Sequence, residues 1–139
     1  MISFNYELDF ELMNADKISK WLSSVISSEE YREGDINYIF CGDEYLLKLN
    51  MEFLNHETLT DIISFDYTVG KELHGDVFVS IERVKENAEK FEVSFEEELN
   101  RVLVHGLLHY CGYKDKVDED TRVMREREDH YLRQLHQIS

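Results

Sequence analysis

Ser94-Phe95-Glu96-Glu97-Glu98-Leu99-Asn100-Arg101-Val102-Leu103-Val104-His105-Gly106-Leu107-Leu108-His109-Tyr110-Cys111-Gly112 reads as one helix with both ends marked. Ser94, with Glu97 three residues on, is a capping-box pattern that satisfies the orphan N–H groups of a first turn. Leu99, Val102, Leu103 and Leu107 recur at helical spacing, and Gly112 is a natural C-terminal stop. A helix with such an apolar stripe needs a layer to pack on, and the preceding chain supplies strands. Val77, Val79 and Ile81 alternate as one strand, and Asp61-Ile62-Ile63-Ser64-Phe65 is a β-branched run that reads as another. A turn containing Gly70, or His74-Gly75, would join the two as an antiparallel pair.

Further upstream, Ile36, Tyr38 and Phe40 alternate. So do Ile2, Phe4, Tyr6, Leu8 and Phe10, predicting a strand over residues 2–10. Between these runs lie helical patterns. Ile18, Trp21, Leu22, Val25 and Ile26 form one, capped by Asn14 or Asp16. Leu46, Leu49 and Phe53 form a second, capped by Asp43, and Val84, Ala88 and Phe91 a third. Downstream, Val117, Met124, Tyr131 and Ile138 recur every seven residues with Leu135 beside them, predicting a last helix packed on the core. The order β-α-β-α-β-β-α-α-α predicts an α+β fold, with one mixed sheet of about four strands and helices packed on it.

The 139 residues contain no proline, no Gly/Ser-rich linker and no repeat, so residues 1–139 read as a single domain. Hydrophobic residues at 42% exclude a disordered chain, and no run approaches the length of a membrane span. The N-terminus lacks the basic start and apolar run of a signal peptide, and two cysteines make no disulfide framework. These features predict a soluble cytoplasmic protein. The net charge is −15, and residues 1–100 carry 23 acidic against 8 basic side chains, whereas residues 101–139 carry seven of each. This excludes a sequence-independent coat on nucleic acid but leaves room for a local site in the C-terminal part.

The chemistry lies at the end of the long helix. His105 and His109 are four residues apart, so one turn puts both imidazoles on the same face, within reach of one metal ion. After the Gly112 stop, Asp115 is placed to fold back as a third ligand, predicting a metal site at a helix C-terminal end. Two His and one carboxylate leave open positions for water and substrate. Two hydrogen-bonded histidines without a metal would show the same spacing. A metalloprotease helix places Glu directly after the first His, and here that position is Gly106, so the zincin reading fails. Arg101, four residues before His105, is the cationic candidate for the same site, or else a salt-bridge partner of Glu97 or Glu98.

The run His105-Gly106-Leu107-Leu108-His109-Tyr110-Cys111-Gly112-Tyr113-Lys114-Asp115 resembles the His-Gly-x-Leu-His-x-x-Gly-Tyr-Asp-His motif of the YbeY family of metal-dependent endoribonucleases. Leu49-Asn50, Thr60-Asp61-Ile62-Ile63-Ser64-Phe65 and Gly75-Asp76-Val77 resemble further elements of that family, in order. The resemblance implies one divalent ion, expected to be Zn²⁺, held by His105, His109 and Asp115. It implies single-strand-specific cleavage of RNA in rRNA maturation and ribosome quality control, with RNA and the ribosome as partners and no membrane. Two departures from the family matter: Asp115 stands where it has a third His, and Leu54 where it has an Arg after Leu-Asn. Alternative readings are a ribosome-associated binding protein with a largely structural metal, and a metallohydrolase of a small substrate. A nuclease predicts a positive groove from Arg101, Lys114, Lys116 or last-helix arginines.

Other residues are weighed against bland roles. His56 reads as a loop histidine, His74 as part of a turn, and His130 and His136 as surface residues of the last helix. Asp76 is a candidate to orient a ligating histidine or to close a turn. Cys111, in the last helical turn, reads as buried rather than ligating.

Overall fold

β1 (Ile2–Tyr6), α1 (Ala15–Ser28), β2 (Arg32–Cys41), α2 (Asp43–Phe53), β3 (Ile62–Asp66), β4 (Glu72–Ser80), α3 (Ile81–Lys90), α4 (Phe95–Tyr110) and α5 (Asp118–Gln137) follow one another along the chain. The structure, a computed structural model, describes residues 1–53 and 60–138. Leu54 and His56 therefore lie outside the described residues. The strands form one mixed sheet in the order β1-β2-β4-β3, with β1 and β4 parallel to β2 and β3 antiparallel to β4. The fold is α+β, as the element order predicts.

Strand alternation divides the sheet into two faces. Ile36, Tyr38, Phe40, Leu73, Val77 and Val79 point to one face and are buried under α1, α3, α4 and α5 in the main core. Ile63, Phe65 and Phe78 point to the other, where Leu46 of α2 covers them. The core is anchored by fully buried Trp21, whose Nε1 donates to the Tyr131 carbonyl at 2.8 Å, and by Tyr38, whose hydroxyl donates to the Leu103 carbonyl at 2.8 Å. These two bonds tie α1 to α5 and β2 to α4 while satisfying groups that would be costly to bury alone.

Several local expectations are corrected. β1 ends at Tyr6 rather than at residue 10, because its register pairs Tyr6 with Phe40 and β2 stops one residue later. Leu8 and Phe10 still pack on the core, with the Phe10 ring 5.3 Å from that of Phe40. Asn14 occupies the cap position of α1 but makes no side-chain cap bond there. Asp43 is the first residue of α2 rather than its cap; its carboxylate accepts from Ser80 Oγ at 2.7 Å and Arg83 Nη2 at 2.9 Å. Ile81 opens α3 rather than extending β4, because the Ser80 hydroxyl accepts from the Arg83 N–H and starts the helix. The β3–β4 turn contains Gly70, whereas His74-Gly75 lies within β4. Phe91, Val117 and Ile138 are exposed rather than core residues, since they fall at or beyond helix ends.

Gly75 has a packing role. Tyr110 of α4 crosses it, donating its hydroxyl to the Phe65 carbonyl at 3.0 Å. A Cβ at Gly75 would lie 2.3 Å from Tyr110 Oη and 2.7 Å from the Phe65 carbonyl. Gly75→Ala is expected to destabilise the fold by about 1–3 kcal/mol through overpacking. Urea unfolding would show a lower midpoint at unchanged slope, and an unmoved midpoint would mean that Tyr110 shifts without cost.

Candidate metal centre

α4 begins and ends as its sequence dictates. Ser94 Oγ accepts from the Glu97 N–H at 3.0 Å. At the other end Gly112 takes φ +99°, a region that L side chains rarely adopt. Gly112 N–H donates to the His109 carbonyl at 3.0 Å and Tyr113 N–H to the Leu108 carbonyl at 3.1 Å, the paired reversal of a Schellman motif. The chain turns back along the helix end. Thr121 Oγ1, in the first turn of α5, donates to the Asp115 carbonyl at 3.0 Å and holds that residue beside the two histidines.

His105 Nε2, His109 Nε2 and Asp115 Oδ2 form a small triangle. The two nitrogens are 3.0 Å apart, and the carboxylate oxygen is 3.2 Å from His105 and 3.3 Å from His109. Ligands of a tetrahedral ion at bonds of about 2.0–2.1 Å stand about 3.3 Å apart, so the triangle has the edge lengths that one ion requires. The far side of each ring supports the same conclusion. His109 Nδ1 lies 3.0 Å from the Tyr113 carbonyl, which can only accept, so Nδ1 carries the proton and Nε2 presents a lone pair. His105 Nδ1 lies 2.6 Å from Glu128 Oε2, which gives it the same polarity. The three residues could hold one metal ion.

Burial works against protonation of His105. The Glu128 hydrogen bond and the charges of Glu128, Asp115 and Asp61 outweigh it and hold the His105 pKa above its usual 6.5. A raised folded pKa means that the imidazolium stabilises the metal-free fold below about pH 6.5, and that this contribution is lost as pH rises through the raised value. Metal binding has the opposite sign, since the ligand must be deprotonated. Zn²⁺ affinity is therefore expected to weaken with falling pH from above 6.5, earlier than at an ordinary histidine. Chelator competition between pH 6 and 9 checks this, and a flat profile down to pH 6 would contradict it. Cys111 is buried and lies outside the group that could hold an ion; burial, with Glu29 adding to it, pushes its thiol up to about 12.

A cleft of about 340 Å³ opens beside the triangle, between α3, α4, α5 and the start of β3. Arg101 and Arg125 bring positive charge to its wall, but Asp61, Glu98, Asp115 and Glu128 bring four carboxylates. This cleft is not the positive groove expected of a nuclease. Lys114 and Lys116 are exposed and do not line the cleft. Arg101 does not pair with Glu97 or Glu98; its Nη1 bonds Glu128 at 3.0 Å and its Nη2 bonds Asp129 at 2.7 Å.

The YbeY family profile, described as endoribonuclease YbeY, matches residues 4–136. This chain belongs to the YbeY family. A Flavobacterium johnsoniae protein named endoribonuclease YbeY is 65% identical over 136 residues, covering 98% of both chains. A Flavobacterium psychrophilum protein of the same name is 61% identical, covering 98% of this chain and 97% of its own. A Thermotoga maritima protein solved in solution superposes with a TM-score of 0.69 at 25% identity, over 97% of this chain and 89% of that one.

In this YbeY chain the remaining expected residues fall away from the triangle. The Asp76 carboxylate accepts from Asn37 Nδ2 at 3.1 Å, on the sheet, and orients no histidine among the described residues. His74 bonds Glu72 within β4, His130 is half-buried beside Gln134, and His136 is exposed. The residue that orients His105 is Glu128, which sequence reading missed. A signal was present: Glu128 falls between Met124 and Tyr131 on the apolar stripe of α5, where an acid needs a partner. The Tyr113 carbonyl that orients His109 carries no side-chain signal. No helix among the described residues is long and apolar enough to cross a membrane.

Proposed function

We propose that this chain is a metal-dependent endoribonuclease that cuts single-stranded RNA and serves rRNA maturation and ribosome quality control in the cytoplasm. The observation that carries the reading is the convergence of His105 Nε2, His109 Nε2 and Asp115 Oδ2, with both Nδ1 atoms already committed to acceptors. The relatives named endoribonuclease YbeY supply the reaction class. When bound, a divalent ion such as Zn²⁺ supplies Lewis acidity toward a phosphoryl oxygen and water. Asp115 in place of a third imidazole preserves the ligand count and adds a negative charge. Asp61 and Glu98, whose carboxyls line the cleft with pKa values raised by burial, are suited to exchange protons there. Exposed Arg125 offers a phosphate contact, and Arg101 acts on the site through Glu128.

The four carboxylates of the cleft favour a second reading, a ribosome-associated binding protein whose metal is largely structural. The charged walls are not the apolar-walled pocket that would favour a metallohydrolase of a small substrate. Elemental analysis, followed by incubation with end-labelled single- and double-stranded RNA with and without chelator, separates these readings. About one metal per chain and chelator-sensitive internal cuts in single strands are expected. One metal per chain without cutting would favour the binding protein, to be tested by ribosome co-sedimentation.

A further inference from the structure

The two ligating histidines have their polarity set in different ways. His109 Nδ1 faces a backbone carbonyl, which accepts and can do nothing else. His105 Nδ1 faces a side chain, and that side chain is itself engaged. The Glu128 carboxylate is buried, with 6% of its side chain exposed. Oε2 accepts from His105 Nδ1 at 2.6 Å and Oε1 accepts from Arg101 Nη1 at 3.0 Å, while Arg125 Nη1 stands 4.0 Å from Oε1, an ion pair beyond hydrogen-bond reach. Arg101 cannot swing aside freely, because its other nitrogen is held by Asp129 at 2.7 Å.

We propose that Arg101 and Glu128 form a polarity lock on His105: Arg101 claims one carboxylate oxygen, the other is left as the acceptor for His105 Nδ1–H, and Nε2 stays bare toward Asp115 and His109. Both are positioning residues, and the proposal rests on the metal reading for its purpose. A buried ion pair contributes little net stability, so fixing one tautomer of a ligand is a use that accounts for its burial here.

The lock has a consequence that simple packing lacks. An amide in place of the carboxylate has one acceptor and one donor end. Arg101 is permanently charged and donates only, so it draws the amide oxygen to itself. The amide NH₂ then faces His105 Nδ1, which has to accept, and the ring proton moves to Nε2. An N–H now points at the place where the three ligands converge. Glu128→Gln, nearly isosteric, is therefore more damaging than its size suggests. Removing the arginine in the same background frees the amide oxygen to turn back to Nδ1–H.

The test compares wild type, Glu128→Gln, Arg101→Met and the Arg101→Met/Glu128→Gln double variant. Imidazole ¹⁵N spectra of the metal-free proteins, at a pH where the rings are neutral, report the tautomers. Chelator competition reports Zn²⁺ affinity. Glu128→Gln is expected to move His105 to the Nε2–H form and to weaken Zn²⁺ binding about 10- to 100-fold. The double variant should return His105 to Nδ1–H and bind Zn²⁺ within about threefold of Arg101→Met, since the partner of the metal ligand is then restored. His109 should remain Nδ1–H throughout, which also reports an intact fold. The lock is overturned if Glu128→Gln keeps Nδ1–H and wild-type affinity, or if the double variant is no better than Glu128→Gln. Failure of wild type itself to bind Zn²⁺ would overturn the metal reading, while the tautomer spectra would still decide the lock.

Discussion

His109→Ala protein is expected to retain less than about a tenth of the metal held by wild type and to lose RNA cleavage by on the order of 10³-fold. The substitution removes one corner of the ligand triangle and leaves His105 and Asp115, two ligands where catalytic sites have three. It should spare the fold. The His109 side chain is 30% exposed, and its Nδ1 partner, the Tyr113 carbonyl, stands on a half-exposed residue that water can reach. Elemental analysis and a denaturation curve on the same preparation check both halves. Metal retained at wild-type level would place the ion elsewhere. Loss of the fold together with the metal, with wild type inert toward RNA, would make the metal structural.

Trp21→Ala is expected to cost about 3–5 kcal/mol, a large part of the roughly 5–15 kcal/mol by which a domain is stable. Trp21 is fully buried on α1 and its indole N–H bonds the Tyr131 carbonyl of α5, so truncation opens a cavity and strips an acceptor at once. For a chain of this length the melting temperature should fall by about 10–20 °C. The effect should extend to the metal centre. The Tyr131 and Tyr113 hydroxyls both donate to Glu29 at the end of α1, and the Tyr113 carbonyl orients His109. Loosening α1 against α5 is thus expected to lower Zn²⁺ affinity in molecules that remain folded. Urea unfolding and chelator competition measure the two effects, and a stability loss below about 1 kcal/mol would mean that the core refills the space.

Much of this protein is legible in local pattern. Periodicity alone places Ile18, Trp21, Leu22, Val25 and Ile26 on the buried side of α1, and Ile36, Tyr38 and Phe40 on the buried side of β2. These are properties of a 3.6- or 2-residue repeat and need no distant partner to be read. The same holds for His105 and His109, brought onto one face by a single turn, and for the Gly112 reversal that returns Asp115 to them.

What local pattern leaves open depends on which distant groups meet. β1 stops at Tyr6 because β2, 34 positions away in register, runs out. Asp43 serves α3 instead of capping its own helix because Ser80 and Arg83 arrive beside it. Asp76 bonds Asn37 across the sheet and no histidine among the described residues. Glu128 reads as a misplaced acid on the α5 stripe until the packing of α5 on α4 sets it between His105 and Arg101. The candidate ligand set of this protein is therefore written in 11 contiguous residues, His105 to Asp115, because helix and turn geometry act over a few residues. The orientation of those ligands belongs to the assembled fold, because a buried hydrogen bond takes its partner from whatever element packing brings within about 3 Å.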